Sequence, residues 1–404
     1  KVLMVPNGTE YEEINYQDYD LIINKYANYW SKQLENENLK KDSIIGYFSQ
    51  SGPEYLYNFM ALWKLGFTVL FLSPRNSEPA LIHLLQEAKS RILIYDSQLS
   101  KISKNVQSEL CSQHSQTLEI FPIPNNLKNE NIDNSAPVIK LDDDPYEKVI
   151  AIFHSSGSTS FPKLVPLTNR YFLVVEQRDK ADDIVLTTTP LFHIFGMIVS
   201  IATIFYPGPV YVFPIVSGSV PLTNEVLYSL NQSKANVFYT LPAIIEQIYK
   251  NRPEEIKKIL LKLSSIKYAG AALSPQIGEK LVQSGVNVQS IYGLTETGVV
   301  MKTSKNSSPD IPWNAMELAI PESYVEWIER NDIFDGVKEL VIKKGTPNLS
   351  NIKGNTENGG YRVGDLFLET SKGSGFYLLL GRADDTIVHS TGEKSNPIPI
   401  EDTI

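Results

Sequence analysis

Apolar positions along the first 150 residues alternate between two patterns. Some stretches carry apolar residues every three or four positions, which is the period of an amphipathic helix, and others are short continuous apolar runs typical of buried strands. Strands separated by helical patterns are typical of βαβ units in a mainly parallel sheet. The predicted helices are residues 16–34, 54–65 and 78–87, and the predicted strands are residues 43–48, 68–72 and 91–95.

A similar alternation continues to about residue 320, beyond a segment at 122–144 that is rich in Asn, Asp and Pro and predicts an exposed connection. The uncharged stretch at 194–219 is interrupted by Pro207-Gly208-Pro209, so we interpret it as buried strand and helix. The predicted strands of this part are residues 149–153, 183–188, 235–240 and 266–269, and the predicted helices are residues 169–177, 242–250 and 274–284.

From about residue 324 the pattern changes to short alternating runs, which are typical of antiparallel strands in a small sheet or barrel. The chain is therefore predicted to be α/β, with two α/β subdomains of mostly parallel sheets at residues 1–145 and 146–320. A small antiparallel, β-barrel-like subdomain is predicted to follow at residues 321–384. Its predicted strands are residues 324–329, 339–342, 365–369 and 377–380.

Composition and charge limit the partners of this protein. The chain has 37 Lys and Arg against 46 Asp and Glu, a formal charge of −9. This balance gives no electrostatic footprint for nucleic acid or an anionic membrane, although a few local donors suffice for a nucleotide. The single cysteine, Cys111, excludes a disulfide scaffold and a cysteine zinc site and is typical of a reducing compartment. We therefore expect a cytoplasmic protein with no nucleic-acid or membrane partner.

A loop crowded with hydroxyls follows the predicted strand at 149–153. Backbone N–H groups and small hydroxyls can bind phosphate oxygens there, and a lysine can add positive charge. The Walker A spacing fails, because Phe161 and Pro162 precede Lys163 and Leu164 follows it. A polar surface loop is the alternative interpretation. The candidate phosphate-binding residues are Ser155, Ser156, Gly157, Ser158, Thr159 and Lys163.

This loop resembles the phosphate loop of the adenylate-forming superfamily of acyl-CoA synthetases, luciferases and peptide-synthetase adenylation domains. That loop reads Thr-Ser-Gly-Thr-Thr-Gly-x-Pro-Lys-Gly, and this chain departs from it at Ser160 and Leu164, where the family usually has glycine. Further resemblances follow in the family's order over essentially the whole chain. They are Pro-x-x-His-x-x-Gly at 190–196, Tyr-Gly-x-Thr-Glu at 292–296, Tyr-Arg-Thr-Gly-Asp at 361–365, where this chain has Val363 for the threonine, and Gly-Arg-x-Asp-Asp at 381–385.

The resemblance implies ATP or AMP as the nucleotide. Tyr292 offers a flat apolar face for adenine, and Gly293 would let the base approach the backbone. Asp365 can accept hydrogen bonds from both ribose hydroxyls, and Arg382 can bind ribose or phosphate oxygens. Ala271 and Ala272 belong to a small-residue turn that would lie against the other adenine face.

The resemblance also implies three catalytic residues, a magnesium ligand and an acid pocket. Thr295 would donate its hydroxyl to the α-phosphate, and Glu296 is a hard oxygen ligand suited to Mg²⁺. His193 is the third predicted catalytic residue and also belongs to the predicted acid pocket. Asp384 matches the hinge of the family. The predicted lining of the acid pocket is His193, Ile194, Phe195, Gly270 and Gly298.

Residues 71–77 and 390–401 resemble fungal peptide-synthetase-like enzymes, including carboxylate reductases in which adenylation, carrier and reductase domains share one polypeptide. Amino-acid-activating relatives usually carry an aspartate where this chain has His193, to pair with the substrate ammonium. We therefore expect an aryl, keto or aliphatic acid without that group. Its carboxylate would attack the α-phosphorus of ATP, and the acyl group would pass to the phosphopantetheine thiol of a carrier domain. A free-standing acyl-CoA or aryl-CoA ligase and a nucleotide-binding pseudoenzyme are the alternatives.

The family carries a small C-terminal domain with a lysine that contacts the carboxylate and the α-phosphate. This chain ends about twenty residues after Asp384, at Ile404. We therefore expect residues 385–404 to be the hinge and the start of a C-terminal domain that is otherwise absent from this chain. Weak adenylation without that lysine is the expected consequence.

Overall fold

The computed structural model describes residues 1–114, 116–124, 126–135, 145–155, 161–174, 179–218, 221–251, 258–303, 311–333, 335–384, 387–388 and 394–395. Two units are compact in themselves. The first consists of Lys1–Leu173, Arg178–Asp183 and Thr189–Pro221, and the second of Val174–Gln177, Ile184–Thr188 and Leu222–Ile404. The predicted three-part division with boundaries near residues 145 and 320 stays a prediction.

Helices and strands alternate along much of the chain, as the apolar pattern predicts. The helices are α1 (Tyr16–Gln33), α2 (Pro53–Lys64), α3 (Glu78–Glu87), α4 (Ser100–Gln113), α5 (Asn169–Leu173), α6 (Ile194–Phe205), α7 (Thr223–Ser233), α8 (Pro242–Asn251) and α9 (Pro275–Gln283). The strands are β1 (Leu3–Asn7), β2 (Glu10–Ile14), β3 (Ile44–Phe48), β4 (Thr68–Leu72), β5 (Ile92–Tyr95), β6 (Glu119–Pro122), β7 (Val149–Ser155), β8 (Lys163–Thr168), β9 (Ile184–Thr187), β10 (Val210–Val212), β11 (Val237–Thr240), β12 (Ser265–Tyr268), β13 (Val288–Leu294), β14 (Gly298–Thr303), β15 (Met316–Leu318), β16 (Val325–Glu329), β17 (Val337–Ile342), β18 (Tyr361–Glu369), β19 (Tyr377–Arg382), β20 (Ile387–Val388) and β21 (Lys394–Ser395).

A six-stranded sheet of order β6-β5-β3-β4-β7-β8 forms the core of the first unit. Neighbours from β6 to β7 are parallel, and β8 is antiparallel to β7. All five residues of β4 are buried, which is expected of a parallel strand covered on both faces. The same unit contains β1, which pairs in parallel with β10 and antiparallel with β2. The carboxyl ends of β4 and β7 therefore meet at one edge of the sheet.

Helix starts in the first unit follow ordinary capping chemistry. The Asn15 side chain accepts a hydrogen bond from the Asp18 N–H at 2.9 Å at the start of α1, and Ser77 caps α3 by accepting from the Ala80 N–H at 3.4 Å. The α1 and α2 helices are then joined by a buried hydrogen bond of 2.7 Å from the Trp30 indole N–H to the Asn58 amide oxygen. The caps of α1 and α3 are local signals, and they explain why the sequence predicts the first residue of each of these two helices to within about one residue.

The polar segment at 122–144 is only partly the exposed connection that the sequence predicts. Its residues 125 and 136–144 lie outside the described residues. In the described part Leu127 is buried, and the Lys25 ammonium donates to the carbonyls of Lys128 and Glu130, both at 2.8 Å. The side chain of Asn28 donates to two further carbonyls of the segment. The described part is therefore hydrogen-bonded to α1.

The second unit is built around a sheet of order β16-β17-β18-β19-β15-β14-β13-β12-β11-β9. The strands β9, β11, β12 and β13 pair in parallel, whereas every pairing from β13 to β16 is antiparallel. This confirms the predicted change from parallel to antiparallel structure, but the change begins at the β13–β14 hairpin and not near residue 324 as predicted. The antiparallel part has its own apolar core, which includes Tyr292, Met301, Leu340, Phe367 and Tyr377.

The uncharged stretch at 194–219 forms α6 and β10, and most of its α6 residues are buried. The interpretation as buried helix and strand is confirmed. Among the residues described by the structure, no helix combines the length and the apolar character that crossing a bilayer would require.

Candidate functional site

Asp365 contacts two other residues that the sequence assigns to nucleotide binding. Asp365 lies on β18 and is 6% exposed. The Tyr292 hydroxyl donates to its Oδ2 at 2.5 Å, and Arg382 Nη1 lies 3.5 Å from its Oδ1. Asp365 and Arg382 are also direct partners in the β18–β19 register. Each carboxylate oxygen of Asp365 therefore has a donor close to it.

Burial and then the Asp365 carboxylate raise the pKa of Tyr292 well above its ordinary value. The phenol therefore stays protonated and serves Asp365 as a donor. Arg382 is held further by donating to the Val363 carbonyl at 3.2 Å, and its Nη2 lies 3.5 Å from the exposed Asp384 carboxylate. The predicted hinge role of Asp384 stays a prediction.

Two motif glycines have a packing reason that the sequence did not reveal. A Cβ added at Gly293 would lie 2.1 Å from the Gly298 carbonyl oxygen, so this position needs glycine to let the β13–β14 hairpin close. Gly364 has a φ of +80°, and a Cβ there would lie 3.0 Å from Arg382 Nη2. The approach of adenine to Gly293 stays a prediction, and hairpin closure alone already accounts for the glycine.

Small residues follow the strand next to β13. Gly270, Ala271 and Ala272 come directly after β12 and are exposed, and Gly270 has a φ of +89°. Because β12 and β13 are parallel neighbours, this turn and the Tyr292-Gly293 segment lie toward the same edge of the sheet. Gly298, assigned to the acid pocket, is buried at the start of β14 with a φ of +63°. The predicted contact of this turn with adenine stays a prediction.

Glu296, the predicted Mg²⁺ ligand, is 9% exposed and lies beside Tyr361. Burial, then the charge of Glu296, raise the pKa of Tyr361 to about 12, and the phenol hydrogen-bonds to that carboxylate. Thr295, next to Glu296, is partly buried. Within the described part of the chain, no group of three or more His, Cys, Asp or Glu residues could hold a metal ion. The role of Glu296 as a Mg²⁺ ligand stays a prediction.

The described ends of the predicted phosphate loop lie at the edge of the six-stranded sheet. Ser155 ends β7, Lys163 begins β8, and the two are paired in the β7–β8 register. Lys163 is exposed. The four other predicted phosphate residues, Ser156, Gly157, Ser158 and Thr159, lie outside the described residues.

Sequence reasoning did not assign a role to His154, which immediately precedes this loop. Its Nε2 accepts from the Ser73 N–H at 3.3 Å and lies 3.2 Å from the side-chain nitrogen of Asn76. Burial, and then the nearby His193, lower the pKa of His154 to about 4, so its ring is neutral near pH 7. Its position between an apolar strand and a polar loop was the available sequence signal.

His193 occupies the N-cap position of α6, with Ile194 and Phe195 in the first turn of that helix. His193 is an exposed residue, and partial desolvation of its ring, and then the charge of Arg75, lower the pKa of His193. Arg75 is exposed and was not assigned to the site from the sequence. The predicted acid-pocket segment thus carries a neutral imidazole with a permanent cation nearby.

The glycine of the Pro-x-x-His-x-x-Gly segment is required by a close approach. A Cβ at Gly196 would lie 2.3 Å from the Pro190 carbonyl oxygen and 2.7 Å from that of Thr189. We expect Gly196→Ala to lower the free energy of unfolding by about 1–3 kcal/mol, because backbone must move to admit the methyl group. Urea unfolding followed by circular dichroism measures this change.

The matched control for Gly196→Ala is Gly218→Ala in the same unit. At Gly218 an added Cβ would meet no heavy atom of the described residues within 4 Å. We expect the control to change the free energy of unfolding by less than about 0.5 kcal/mol. Equal stabilities of the two variants would contradict the packing role of Gly196.

Arg362, inside the Tyr-Arg-Val-Gly-Asp segment, contacts another carboxylate. Its Nε donates to Glu339 Oε1 at 2.6 Å and its Nη2 to Oε2 at 2.5 Å. Arg330 donates to Glu339 Oε2 at 2.9 Å. Glu339 is 2% exposed on β17, so two guanidinium groups share one buried carboxylate. This part of the motif therefore holds β17 and β18 together.

The predicted residues are distributed over both units. Ser155, Lys163, His193, Ile194 and Phe195 lie in the first unit. Ten described residues lie in the second unit, together with Asp384, and they belong to the turn after β12, the β13–β14 hairpin, the middle of β18 and the end of β19. They are Gly270, Ala271, Ala272, Tyr292, Gly293, Thr295, Glu296, Gly298, Asp365 and Arg382.

Comparison with known proteins gives consistent matches. The family model described as AMP-binding enzyme matches residues 2–322. A non-canonical non-ribosomal peptide synthetase of Acremonium egyptiacum is 25% identical over 405 residues, covering 97% of this chain and 36% of the relative. An adenylate-forming reductase of Heterobasidion annosum is 28% identical over 354 residues, covering 83% of this chain and 32% of the relative. This chain spans about a third of the length of these curated relatives.

The fold matches solved structures as well. The O-succinylbenzoate coenzyme A synthetase of Bacillus subtilis, in complex with AMP, superposes with a TM-score of 0.76 at 20% identity. The match covers 99% of this chain and 79% of that structure. At this identity the likeness establishes the fold, which is the large α/β domain predicted from the sequence.

Proposed function

This chain belongs to the AMP-binding enzyme family, and from that premise we propose that it activates a carboxylic acid with ATP as an acyl-adenylate. The observation that carries the proposal is the hydrogen-bonded set of Tyr292, Asp365 and Arg382. A carboxylate held on both oxygens is preorganised to accept two vicinal ribose hydroxyls. The exposed small residues after β12 would leave room for adenine.

The proposed reaction needs little covalent chemistry from the protein. A carboxylate oxygen of the acid attacks the α-phosphorus, the bond from that phosphorus to the bridging oxygen breaks, and pyrophosphate leaves with the electron pair. Positioning and charge neutralisation then supply the rate enhancement. Thr295 would donate to an α-phosphate oxygen, and Lys163 would neutralise the departing phosphates.

Glu296 fits the role of a Mg²⁺ ligand, because it offers a buried hard oxygen beside a phenol that is a hydrogen-bond donor. The ion, when bound, would supply further charge neutralisation at the phosphates. Phosphate oxygens and water would complete its coordination, since Mg²⁺ commonly keeps several such ligands.

For the acid we propose an aryl, keto or aliphatic carboxylate without an α-ammonium group. Arg75 places positive charge near His193, and its influence lowers the pKa of the imidazole. The same field would repel a substrate ammonium. A carboxylate at this position of the amino-acid-activating relatives would instead attract one.

The proposed acceptor of the acyl group is a phosphopantetheine thiol on a carrier domain, in a multidomain fungal carboxylate reductase located in the cytoplasm. Two matched relatives, a non-ribosomal peptide synthetase and an adenylate-forming reductase, support this context. The coenzyme A synthetase among the structural matches supports the alternative of a free-standing ligase. Offering a preformed acyl-adenylate together with coenzyme A or a phosphopantetheine-loaded carrier protein distinguishes the two acceptors.

Calorimetry with ATP and with two non-hydrolysable acyl-adenylate analogues tests the proposal on this chain. One analogue carries 3-phenylpropanoate and the other L-phenylalanine, which differ only in the α-ammonium group. We expect both ATP and the phenylpropanoyl analogue to bind, and the phenylalanyl analogue to bind about threefold more weakly, because the exposed Arg75 would repel its ammonium group across a solvent-screened separation. Tighter binding of the phenylalanyl analogue than of the phenylpropanoyl analogue would refute the proposed acid class. If neither analogue binds more than about threefold more tightly than AMP, the result would favour a pseudoenzyme.

A further inference from the structure

We propose that His154 is a positioning residue of the phosphate-binding edge, where it holds the Ser73–Asn76 turn against the end of β7 so that Arg75 and Lys163 can both reach the phosphates of ATP. This inference rests on the proposed function, because it assigns a purpose to residues beside the predicted phosphate loop. His154 belongs to neither the predicted loop nor the predicted acid pocket.

The turn after β4 is a compact hydrogen-bonded structure. The Asn76 N–H donates to the Ser73 carbonyl at 3.0 Å, and the Arg75 N–H donates to the Ser73 hydroxyl at 3.2 Å. Ser73 is buried, whereas Arg75 is exposed. The turn therefore presents the Arg75 side chain outward from a constrained backbone.

His154 connects this turn to the phosphate loop. Its Nε2 receives the backbone N–H of Ser73 at 3.3 Å, and the side-chain nitrogen of Asn76 lies 3.2 Å away. A backbone N–H can only donate, so Nε2 is the acceptor and the ring proton belongs on Nδ1. The two donors share one lone pair in a three-centre arrangement. The turn is thus held at both of its ends, on either side of Arg75.

Sheet topology places the two cations at the same edge. β4 and β7 are parallel neighbours, with Val69 opposite Ala151, so both strands end at the edge where β8 begins. Arg75 follows β4 by three residues, and Lys163 starts β8 opposite Ser155. In an open parallel sheet, ligands bind outside the carboxyl ends of the strands.

A ring contact makes a second connection between the loop and this region. Phe161 stacks on His83 of α3, with ring centroids 5.1 Å apart and planes inclined by 22°. Since α3 begins at Glu78, directly after the turn, the segment from Ser73 to His83 contacts residues on both sides of the predicted loop. Displacement of the Ser73–Asn76 turn would therefore change the phosphate-binding edge directly, and would change distant parts of the protein less.

The chemistry requires a neutral imidazole at His154. Burial and the neighbouring His193 lower its pKa to about 4, so Nε2 remains an acceptor throughout the neutral range. Phenylalanine would fill the same space without an acceptor. Glutamine can place its side-chain oxygen near the position of Nε2, so His154→Gln is the conservative variant.

The test compares the affinities for ATP and AMP, measured by calorimetry, in His154→Phe, His154→Gln and a control. We expect His154→Phe to weaken ATP binding about tenfold and AMP binding by less than about threefold, because AMP lacks the two outer phosphates. His154→Gln should stay within about threefold of the unmodified chain for both ligands. His114→Phe makes the same chemical change at an exposed residue after α4 and should leave both affinities unchanged.

Two results would overturn the role of His154: an equal loss of ATP and AMP affinity in His154→Phe, and no loss of either. Failure of the unmodified chain to bind ATP would instead refute the proposed function. Asn76→Ala keeps the inference testable should His154→Phe not fold, since it removes one donor and should lower the ATP-to-AMP affinity ratio about threefold. An unchanged ratio in Asn76→Ala would also count against it.

Discussion

Asp365→Ala is expected to weaken AMP binding by about a hundredfold. The carboxylate supplies charged acceptors for the ribose hydroxyls, and a hydrogen bond to a charged group contributes about 1.5–3 kcal/mol. Its removal also leaves the buried Tyr292 hydroxyl without its acceptor and frees the Arg382 guanidinium from its carboxylate. The loss of the ribose acceptors and the disturbance of Tyr292 and Arg382 both weaken the binding of AMP. The affinity for AMP, measured by calorimetry, is therefore the direct readout.

Two further variants make the Asp365 result interpretable. Tyr292→Phe keeps the ring and removes only the hydroxyl. We expect it to weaken AMP binding about three- to tenfold, because Asp365 keeps its charge but loses the hydrogen bond that orients it. Glu326→Ala removes an exposed carboxylate from β16 in the same sheet and should leave AMP affinity unchanged. Wild-type affinity in folded Asp365→Ala would exclude Asp365 from the nucleotide site.

Glu339→Leu is expected to lower the free energy of unfolding by about 3 kcal/mol. Removing one partner of a buried ion pair costs about 3–5 kcal/mol, because the remaining charges lose their compensation. We expect the lower end of that range, since the Arg362 side chain is 45% exposed and can turn to water, whereas the Arg330 side chain is only 16% exposed. Urea unfolding monitored by tryptophan fluorescence and by circular dichroism gives the value.

The comparison for Glu339→Leu is again Glu326→Ala, whose carboxylate is exposed on the neighbouring strand. Its removal should change the free energy of unfolding by less than about 0.5 kcal/mol. The loss of unfolding free energy in Glu339→Gln should lie between those of Glu339→Leu and Glu326→Ala, because the amide oxygen can still accept a hydrogen bond from one arginine. A change below about 1 kcal/mol in Glu339→Leu would show that the two arginines find other partners at little cost.

The sequence predicted much of the fold where the signals are local. The bounds of α3 and β4 agree with the prediction residue for residue, because Ser77 and Pro79 mark a helix start and residues 68–72 form an uninterrupted apolar run. By contrast, α4 was not predicted, since its buried residues Ser103, Val106 and Leu110 are few and one is polar. The β1–β2 hairpin was also missed, because β2 is largely polar and mostly exposed.

For the candidate site, the sequence identified the residue types and their order. It assigned Tyr292, Asp365 and Arg382 to one ligand because the motifs that contain them resemble those of the adenylate-forming superfamily and follow in that family's order. It could not show that the phenol and the guanidinium bind opposite oxygens of the same carboxylate. The hydrogen bond from Tyr292 to Asp365 joins residues that are 73 positions apart, and it depends on the pairing of several strands. The order in which these strands pair is a property of the folded sheet, so the apolar pattern of any one strand does not contain it.

The sequence by itself determined the α/β class, the family and the order of the chemical groups, because periodicity and motifs depend on near neighbours in the chain. Only the tertiary structure decided that Arg362 binds Glu339, that Gly293 is needed for a hairpin carbonyl, and that His154 holds the Arg75 turn. Each of these contacts forms only when two paired strands, or a strand and a neighbouring turn, are packed together. Their energies depend on burial and on exact separation, which are properties of the packed sheet.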